Sequence, residues 1–216
     1  MSSDAETVEL RDGSLMLVRP IRPEDKGAIA AGFERLSAES RYRRFFAPLT
    51  ELGDEELAYL TEVDHHDHEA LIAFALDSRE PVAVARFIRN ADPHEAEVAV
   101  TVVDHWQGRG AATALLDRLV ARAREEGITH FLAAVLSDNR GAIEMFDSVA
   151  PPGSIRRHTA SGHVELVIDL PEPGTPTRES KLGRTLRAAA RGVLEANPWY
   201  LIRERIGRRV DGITDR

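Results

Sequence analysis

The chain has no cysteine among its 216 residues, which excludes disulfide bonds, thiolate metal ligands and a thiol nucleophile. It also lacks any apolar run near the ~18 residues that a membrane-spanning helix requires. Residues 1–6 are acidic and do not contain the apolar segment of a secretion signal. These absences lead us to expect a cytoplasmic protein.

Positively charged residues are outnumbered, because the chain has 28 Lys and Arg residues and 36 Asp and Glu residues, which gives a net charge of −8. Residues 1–170 hold 18 basic and 30 acidic residues, a net charge of −12. Residues 171–216 hold ten basic and six acidic residues, a net charge of +4. An acidic body disfavours nucleic acid and favours a cationic acceptor such as an amine. The same acidity also serves solubility alone, so charge does not decide between these interpretations.

Residues 98–116, VAVTVVDHWQGRGAATALL, carry the most informative pattern in the chain. A β-branched run predicts a strand, a glycine-containing segment interrupts it, and an apolar helical face follows. The first N–H groups of a helix have no internal partner and lie at the positive end of its dipole, so this arrangement binds phosphate. Gly108 and Gly110 let an anion approach the backbone, and Arg109 adds a charged donor.

The details of this loop discriminate between phosphate-binding families. A Walker loop requires a Gly-Lys pair, which the chain lacks, and a dinucleotide fingerprint requires a third glycine where Thr113 stands. The spacing Gln107-x-x-Gly110-x-Ala112 instead resembles the Q/R-x-x-G-x-G/A pyrophosphate loop of GNAT acyltransferases, which hold acyl-coenzyme A.

Further motifs make this resemblance more specific. The chain is similar to bacterial lysine acetyltransferases whose GNAT domain is elsewhere fused to cyclic-nucleotide-binding or acyl-CoA-synthetase-like domains. The similarity covers roughly residues 10–170 and runs through LVRPIRPED at 17–25, LSAESRYRRFF at 36–46, VDH at 63–65, AEVAV at 96–100, WQGRG at 106–110 and LSDN at 136–139. It implies transfer of an acetyl group from acetyl-CoA to an amine, with a protein lysine as the favoured acceptor and no metal.

The order of predicted elements agrees with an α/β GNAT fold, a mixed and mostly antiparallel sheet flanked by helices on both faces. Predicted strands cover residues 14–19, 70–76, 82–89, 95–103, 128–136, 155–159 and 163–170, and predicted helices cover residues 23–36, 38–46, 54–62, 108–125 and 139–148. This GNAT domain is expected over residues 1–170.

Residues 171–178 form a proline-rich linker by composition, and residues 179–216 predict a basic helical C-terminal extension. Two interpretations of the extension stay open. It is either a basic amphipathic module for a membrane surface or acidic partner, or a helical pair packed on the body or in a homodimer interface. The second is favoured because six acidic residues dilute the charge and Trp199 favours burial.

The coenzyme site is expected to include the strand, the glycine loop and the asparagine of the LSDN motif. Its residues are Val100, Val102, Gln107, Gly108, Arg109, Gly110, Ala111, Ala112 and Asn139. Asn139 follows a predicted strand and starts a helix, so it is expected to be an N-cap, and the resemblance implies that it also borders the coenzyme.

Glu97 is the candidate general base. A lysine amine has a pKa of about 10.4, so only about 1 in 2500 is nucleophilic at pH 7, and a positioned base offsets much of this. Glu97 shares a strand face with Ala99, Thr101 and Val103, and the six steps to Val103 span about 20 Å, close to the reach of a pantetheine arm. A solvated strand-end acid is the alternative, and Glu95 is a rival on the same face; the resemblance implies a glutamate base at position 97.

Three other features of the sequence bear on the chemistry of the site. Many GNAT enzymes carry a tyrosine general acid about seven residues after the asparagine, but here that position is Phe146, which puts such an acid in doubt. The run DHHDH at 64–68 is consecutive, so its side chains should diverge rather than bind a metal; the resemblance suggests a structural or acceptor-site role. Residues 41–46 mix charge and aromatic rings and are interpreted as a wall of the acceptor site.

The sequence leaves three functional hypotheses open. The favoured one is a protein lysine N-acetyltransferase, and the second is an acetyltransferase that acts on a small amine. The third is a non-catalytic acyl-CoA-binding regulator, in which Phe146 marks lost chemistry.

Overall fold

The computed structural model describes residues 5–149, 153–160 and 162–171, and the expected basic helical extension lies outside them. The strands are β1 Glu6–Glu9, β2 Leu15–Pro20, β3 His68–Ala75, β4 Pro81–Arg89, β5 Glu95–Val102, β6 His130–Leu136, β7 Ile155–Ala160 and β8 His163–Asp169. The α-helices are α1 Lys26–Glu34, α2 Ala38–Phe45, α3 Asp54–Thr61, α4 Ala111–Glu125 and α5 Arg140–Val149. Among the described residues, no helix is both long and apolar enough to span a membrane.

The described strands form one sheet in the order β1-β2-β3-β4-β5-β6-β8-β7. Every neighbouring pair is antiparallel except β5 and β6, which run parallel because α4 crosses between them. This arrangement confirms the mixed, mostly antiparallel sheet expected from the sequence.

Helices cover both faces of the central strands. Leu115 and Leu119 of α4 belong to the large apolar cluster that includes Val98 and Val100 of β5. On the opposite face, Ile29 of α1 and Leu60 of α3 pack against Ala70 and Ile72 of β3. Because both faces are covered, β3 and β4 are buried along nearly their whole length, and this explains why their sequences are almost continuously apolar.

Two differences between the structure and the sequence-based prediction concern the sheet edge and the glycine loop. The edge strand β1 was not predicted, because it is short, mostly exposed and contributes two glutamates and only one partly buried apolar residue, Val8. The helix predicted from residue 108 starts instead at Ala111. Gly108 and Gly110 have φ values of 74° and 99°, which lie in the left-handed region and therefore outside a right-handed helix.

Asp104 joins the loop after β5 to the start of α2. Its Oδ2 atom accepts a hydrogen bond from the Ser37 N–H at 2.7 Å, and its Oδ1 atom accepts one from the Ser40 hydroxyl at 2.5 Å. The Gln107 amide also donates to Oδ1 at 3.2 Å. The carboxylate therefore holds the helix on one face of the sheet against the loop that precedes α4.

We expect Asp104→Ala to lower the free energy of unfolding by about 1–3 kcal/mol, because donors from two segments lose a charged acceptor. Chemical denaturation measures this change, and Asp77→Ala in an exposed turn serves as the control, with an expected change within about 0.5 kcal/mol. Equal stability of the two variants would contradict a joining role for Asp104.

Candidate active site

The parallel strands β5 and β6 pair over only three positions in the described part of the chain. The pairs are Glu95–His130, Ala96–Phe131 and Glu97–Leu132. Beyond them β5 continues beside β4, while β6 continues beside β8. A gap, the β5–β6 gap, therefore opens directly after Glu97.

The backbone of β5 supplies polar groups to the β5–β6 gap. The Val103 N–H donates to the Val82 carbonyl of β4 at 2.9 Å, whereas the Val102 carbonyl accepts from the Gln107 side chain at 3.1 Å. Because alternate residues of a strand direct their N–H and C=O groups to opposite edges, those of Val100 and Val102 face the gap. An extended ligand that contains amides can pair with them as an additional strand would.

The glycine loop at the end of β5 leads into the N-terminus of α4. Gly110 is the N-cap of α4 and has no side chain with which to cap this helix end, so the N–H groups of Ala111 and Ala112 are available to an anion. The φ value of 99° at Gly110 strains any residue with a side chain, and a Cβ atom there would lie 3.6 Å from Arg11 Nε. The loop thus has the backbone shape that phosphate binding requires.

The two polar side chains of this loop have other contacts in the structure. The Gln107 amide bonds the Val102 carbonyl and Asp104, so this side chain shapes the loop. The Arg109 guanidinium lies 4.9 Å from the centre of the Trp106 ring and 3.3 Å from a carboxylate oxygen of Asp12. The positive charge of Arg109 is close to the loop but is shared with Asp12.

Asn139 lies just beyond the end of β6 and is 3% exposed. Its Oδ1 atom accepts from the Ala142 N–H at 3.2 Å, which confirms the predicted N-cap of α5. Its Nδ2 atom is buried and has no hydrogen-bond partner among the residues that the structure describes. A buried donor without an acceptor is unfavourable, so a ligand carbonyl at this position would stabilise the site. Phe146, which is seven residues later and lies on α5, is 3% exposed and belongs to the apolar core.

Glu97 and its rival Glu95 have different surroundings. Glu95 accepts a hydrogen bond from the Asn90 side chain at 2.9 Å and lies at the start of β5. Glu97 occupies the last position at which β5 pairs with β6, and its Oε2 atom is buried. Glu97 is therefore the carboxylate nearest to the opening of the β5–β6 gap on this strand.

A cleft lies on the Glu97 face of the sheet, beneath α1, α2 and α3. Ala99, Thr101 and Val103 contribute its sheet side, as expected from their alternation with Glu97. Arg44 and Phe45 of α2 also line it, whereas Tyr42 of the same segment is 48% exposed. We name this feature the Arg44–Arg86 cleft, after its two charged residues.

Arg86 is a cleft residue that sequence reasoning missed. It is 2% exposed on β4, and it contacts the His68 ring nitrogen Nε2 and the Leu60 carbonyl, both at 3.1 Å. Burial first, and the nearby positive charge of Arg44 second, lower the pKa of Arg86 to about 9. The signal available in the sequence was that Arg86 is the one charged residue within the otherwise apolar run 81–88.

Asp64 organises the turn that the DHHDH segment forms. Its Oδ1 atom accepts the backbone N–H groups of His66, Asp67 and His68 at 2.8–2.9 Å. His65 contacts the buried Glu69 at 2.7 Å, whereas His68 contacts Arg86 at 3.1 Å, so these two imidazoles have different partners. The described residues contain no group of three or more side chains placed to hold a metal ion.

Comparison with known proteins identifies the family to which the chain belongs. The profile of the acetyltransferase (GNAT) family matches residues 35–149. The chain is 33% identical over 193 residues to acetyltransferase Pat of Mycolicibacterium smegmatis, covering 88% of this chain and 56% of that protein. It is 29% identical over 133 residues to an acetyltransferase of Pseudomonas aeruginosa, covering 61% of this chain and 72% of that protein.

A solved structure agrees with these matches. The GNAT domain of S. lividans PAT superposes with a TM-score of 0.70 at 36% identity, covering 79% of this chain and 99% of that domain. The present chain spans only about half the length of the M. smegmatis relative. The profile, the identities and the superposition together establish that the chain belongs to the GNAT family of acetyltransferases.

Proposed function

We propose that this GNAT enzyme transfers the acetyl group of acetyl-CoA to a primary amine by direct attack, with a protein lysine as acceptor. The observation that carries the proposal is the position of Glu97. It lies where the β5–β6 gap begins, and the glycine loop lies at the other end of the same strand. A coenzyme extended along this strand would have its phosphates at the loop and its thioester near Glu97.

The residues around the gap fit acetyl-CoA. The backbone groups of Val100 and Val102 would pair with the pantetheine amides, and the loop from Gly108 to Ala112 would bind the pyrophosphate. The buried Nδ2 donor of Asn139 supports the same placement, because a coenzyme carbonyl would supply its missing acceptor.

Glu97 would perform the proton transfer that the reaction needs. The carboxylate removes a proton from the acceptor ammonium, directly or through one water molecule. The amine nitrogen then bonds to the thioester carbonyl carbon, the carbon–sulfur bond breaks, and the coenzyme leaves as a thiolate, which takes up the second proton that the nitrogen loses as the amide forms. Phe146 carries no proton for this thiolate, but a thiol with a pKa of about 8.5 leaves at neutral pH without much help.

The acceptor class is supported by the similarity to acetyltransferase Pat and by the sequence motifs that resemble those of bacterial lysine acetyltransferases. A small amine is the second candidate. The enclosure of the Arg44–Arg86 cleft favours it, because both arginines are at least 96% buried and a small molecule fits such a cleft more easily than a protein surface.

Thiol release from acetyl-CoA tests the proposal when it is measured with lysine peptides, with small amines and without acceptor. We expect acceptor-dependent release, with an equal amount of N-acetylated product detected by mass spectrometry. Acetyl-CoA binding without turnover of any amine would contradict the proposed reaction.

We expect Asn139→Ser to separate the two roles of Asn139. Serine is nearly as good an N-cap, so the free energy of unfolding should change by less than about 1 kcal/mol. The lost amide donor should weaken acetyl-CoA binding by roughly tenfold, because one hydrogen bond contributes about 1 kcal/mol and a buried one more. Calorimetry measures the affinity. Unchanged affinity with unchanged stability would restrict Asn139 to capping.

A further inference from the structure

Two buried arginines on the Glu97 face are unusual in this acidic chain. Arg44 of α2 and Arg86 of β4 are 4% and 2% exposed, and both line the Arg44–Arg86 cleft. Most of the other residues that line the cleft are apolar, and none of those described there is acidic. Charged side chains are seldom buried this completely unless they are paired and hydrogen-bonded.

The strand register relates this pair to Glu97. Arg86 of β4 lies directly opposite Ala99 of β5, and Glu97 is two residues before Ala99 on the same face. The Cα atoms of Arg86 and Glu97 are therefore diagonal neighbours, about 7–8 Å apart. A molecule with its amine at Glu97 would extend over Ala99 towards the two guanidinium groups.

The local electrostatics favour an anion beside these guanidinium groups. Arg86 forms hydrogen-bond contacts with a carbonyl oxygen and an imidazole nitrogen, and neither of these atoms carries a negative charge. Arg44 is close enough to oppose the charge on Arg86. Two cations that repel each other in an apolar cleft are stabilised when an anion binds between them.

We propose that the Arg44–Arg86 cleft binds a carboxylate of the acceptor molecule and thereby positions its amine at Glu97. This proposal rests on the proposed function and narrows its substrate class to amines that carry a nearby carboxylate. Two sources of that group are compatible with the cleft: the α-carboxylate of a free amino acid, and an acidic side chain beside the target lysine in a polypeptide. Guanidinium groups match carboxylate geometry in both cases.

Matched acceptor pairs test the proposal on the intact chain. Nα-acetyl-lysine and Nα-acetyl-lysinamide differ only in the α-carboxylate, and capped Lys-Asp and Lys-Asn dipeptides differ only in the acidic side chain. A third pair, 4-aminobutyrate and 4-aminobutanamide, examines a shorter amine. For each pair we would measure kcat/KM and the rise in melting temperature of the acetyl-CoA complex, for the wild type, Arg44→Gln, Arg44→Lys and Arg156→Gln. Arg156 is the control because it is an exposed arginine on the edge strand β7, outside the cleft, where it pairs with Asp169.

In at least one pair, we expect the carboxylate member to have a kcat/KM roughly 10- to 100-fold above that of its amide. Arg44→Gln should bring this ratio close to one, Arg44→Lys should retain part of it, and Arg156→Gln should retain all of it. A preference in the first or third pair identifies a free amino acid, and a preference in the dipeptide pair identifies an acidic neighbour.

Equal use of both members in every pair by the wild type would overturn the proposal. An Arg44→Gln variant that loses activity equally with both members would do so as well, because a purely structural role predicts that result. Absence of turnover with every acceptor would count against the proposed function instead. The melting temperatures would then test the carboxylate preference. Equal shifts for both members of every pair overturn the proposal. A larger shift for the carboxylate member that is lost in Arg44→Gln supports the proposal.

Discussion

Glu97→Gln is expected to lower the turnover with an amine acceptor at pH 7 by roughly 10²- to 10⁴-fold, the usual contribution of a general base. Glutamine preserves the shape of the side chain but does not accept a proton. The loss corresponds to roughly 2.7–5.5 kcal/mol of transition-state stabilisation. Initial rates of thiol release measure it.

Acetyl-CoA binding should survive this substitution. The glycine loop lies at the other end of β5, about 20 Å from Glu97 at ~3.4 Å per residue. Calorimetry should therefore give a dissociation constant within about threefold of the wild-type value, since no phosphate contact is changed. Weakened binding that parallels the loss of turnover would indicate a structural effect instead of a lost base.

The pH dependence of the variant provides a second readout. A lysine amine has a pKa of about 10.4, so its nucleophilic fraction rises about tenfold per pH unit below that value. The rate of Glu97→Gln should follow this rise and recover part of its activity at high pH, because solvent then removes the proton.

Glu95→Gln is the matched control for Glu97→Gln. Both glutamates share a strand face, but Glu95 is bonded by Asn90 and lies two residues farther from the β5–β6 gap. We expect its turnover to stay within a few-fold of wild type. Loss in Glu95→Gln alone would transfer the role of base to Glu95, and equal rates for wild type and Glu97→Gln would remove Glu97 from the mechanism.

The parts of this site that depend on local chemistry could be predicted from the sequence. A glycine loop before a helix has a phosphate-binding shape wherever it occurs, so Gly108 and Gly110 were identifiable without a fold. Alternation along one strand likewise placed Glu97, Ala99 and Thr101 on a common face, and the register confirms it.

The parts that depend on pairing between distant segments could not be predicted. Arg86 reaches the cleft because β4 pairs with β5 in one particular register, and Arg44 reaches it because α2 packs over that face. Asp104 contacts Ser37, which is 67 residues away in the chain, and no local pattern encodes such a contact. The separation of β5 from β6 after Glu97 also depends on the pairing of distant strands. It leaves the backbone groups of Val100 and Val102 facing a gap instead of a neighbouring strand.

Gly110→Asp is expected to abolish the stabilisation of the folded protein by acetyl-CoA. The substitution adds a carboxylate at the N-cap of α4, where the pyrophosphate would bind, and the two anions repel each other. At a coenzyme concentration 100 times the wild-type dissociation constant, the wild type gains about 2.7 kcal/mol by mass action. A 100-fold weaker complex gains about 0.4 kcal/mol under the same condition, a difference that melting curves resolve.

Two controls separate charge from backbone strain in this experiment. Gly110→Asn imposes the same φ of 99° and nearly the same side-chain shape without the charge, so it should lose stability as Gly110→Asp does but retain more of the coenzyme effect. Gly162→Asp adds the same strain at a φ of 88° in the hairpin between β7 and β8, where a Cβ atom meets nothing within 4 Å. It should be destabilised with its coenzyme response intact. If Gly110→Asp folds and binds acetyl-CoA as tightly as the wild type, the glycine loop does not hold the pyrophosphate, because no phosphate site at a helix N-terminus tolerates a carboxylate in its centre.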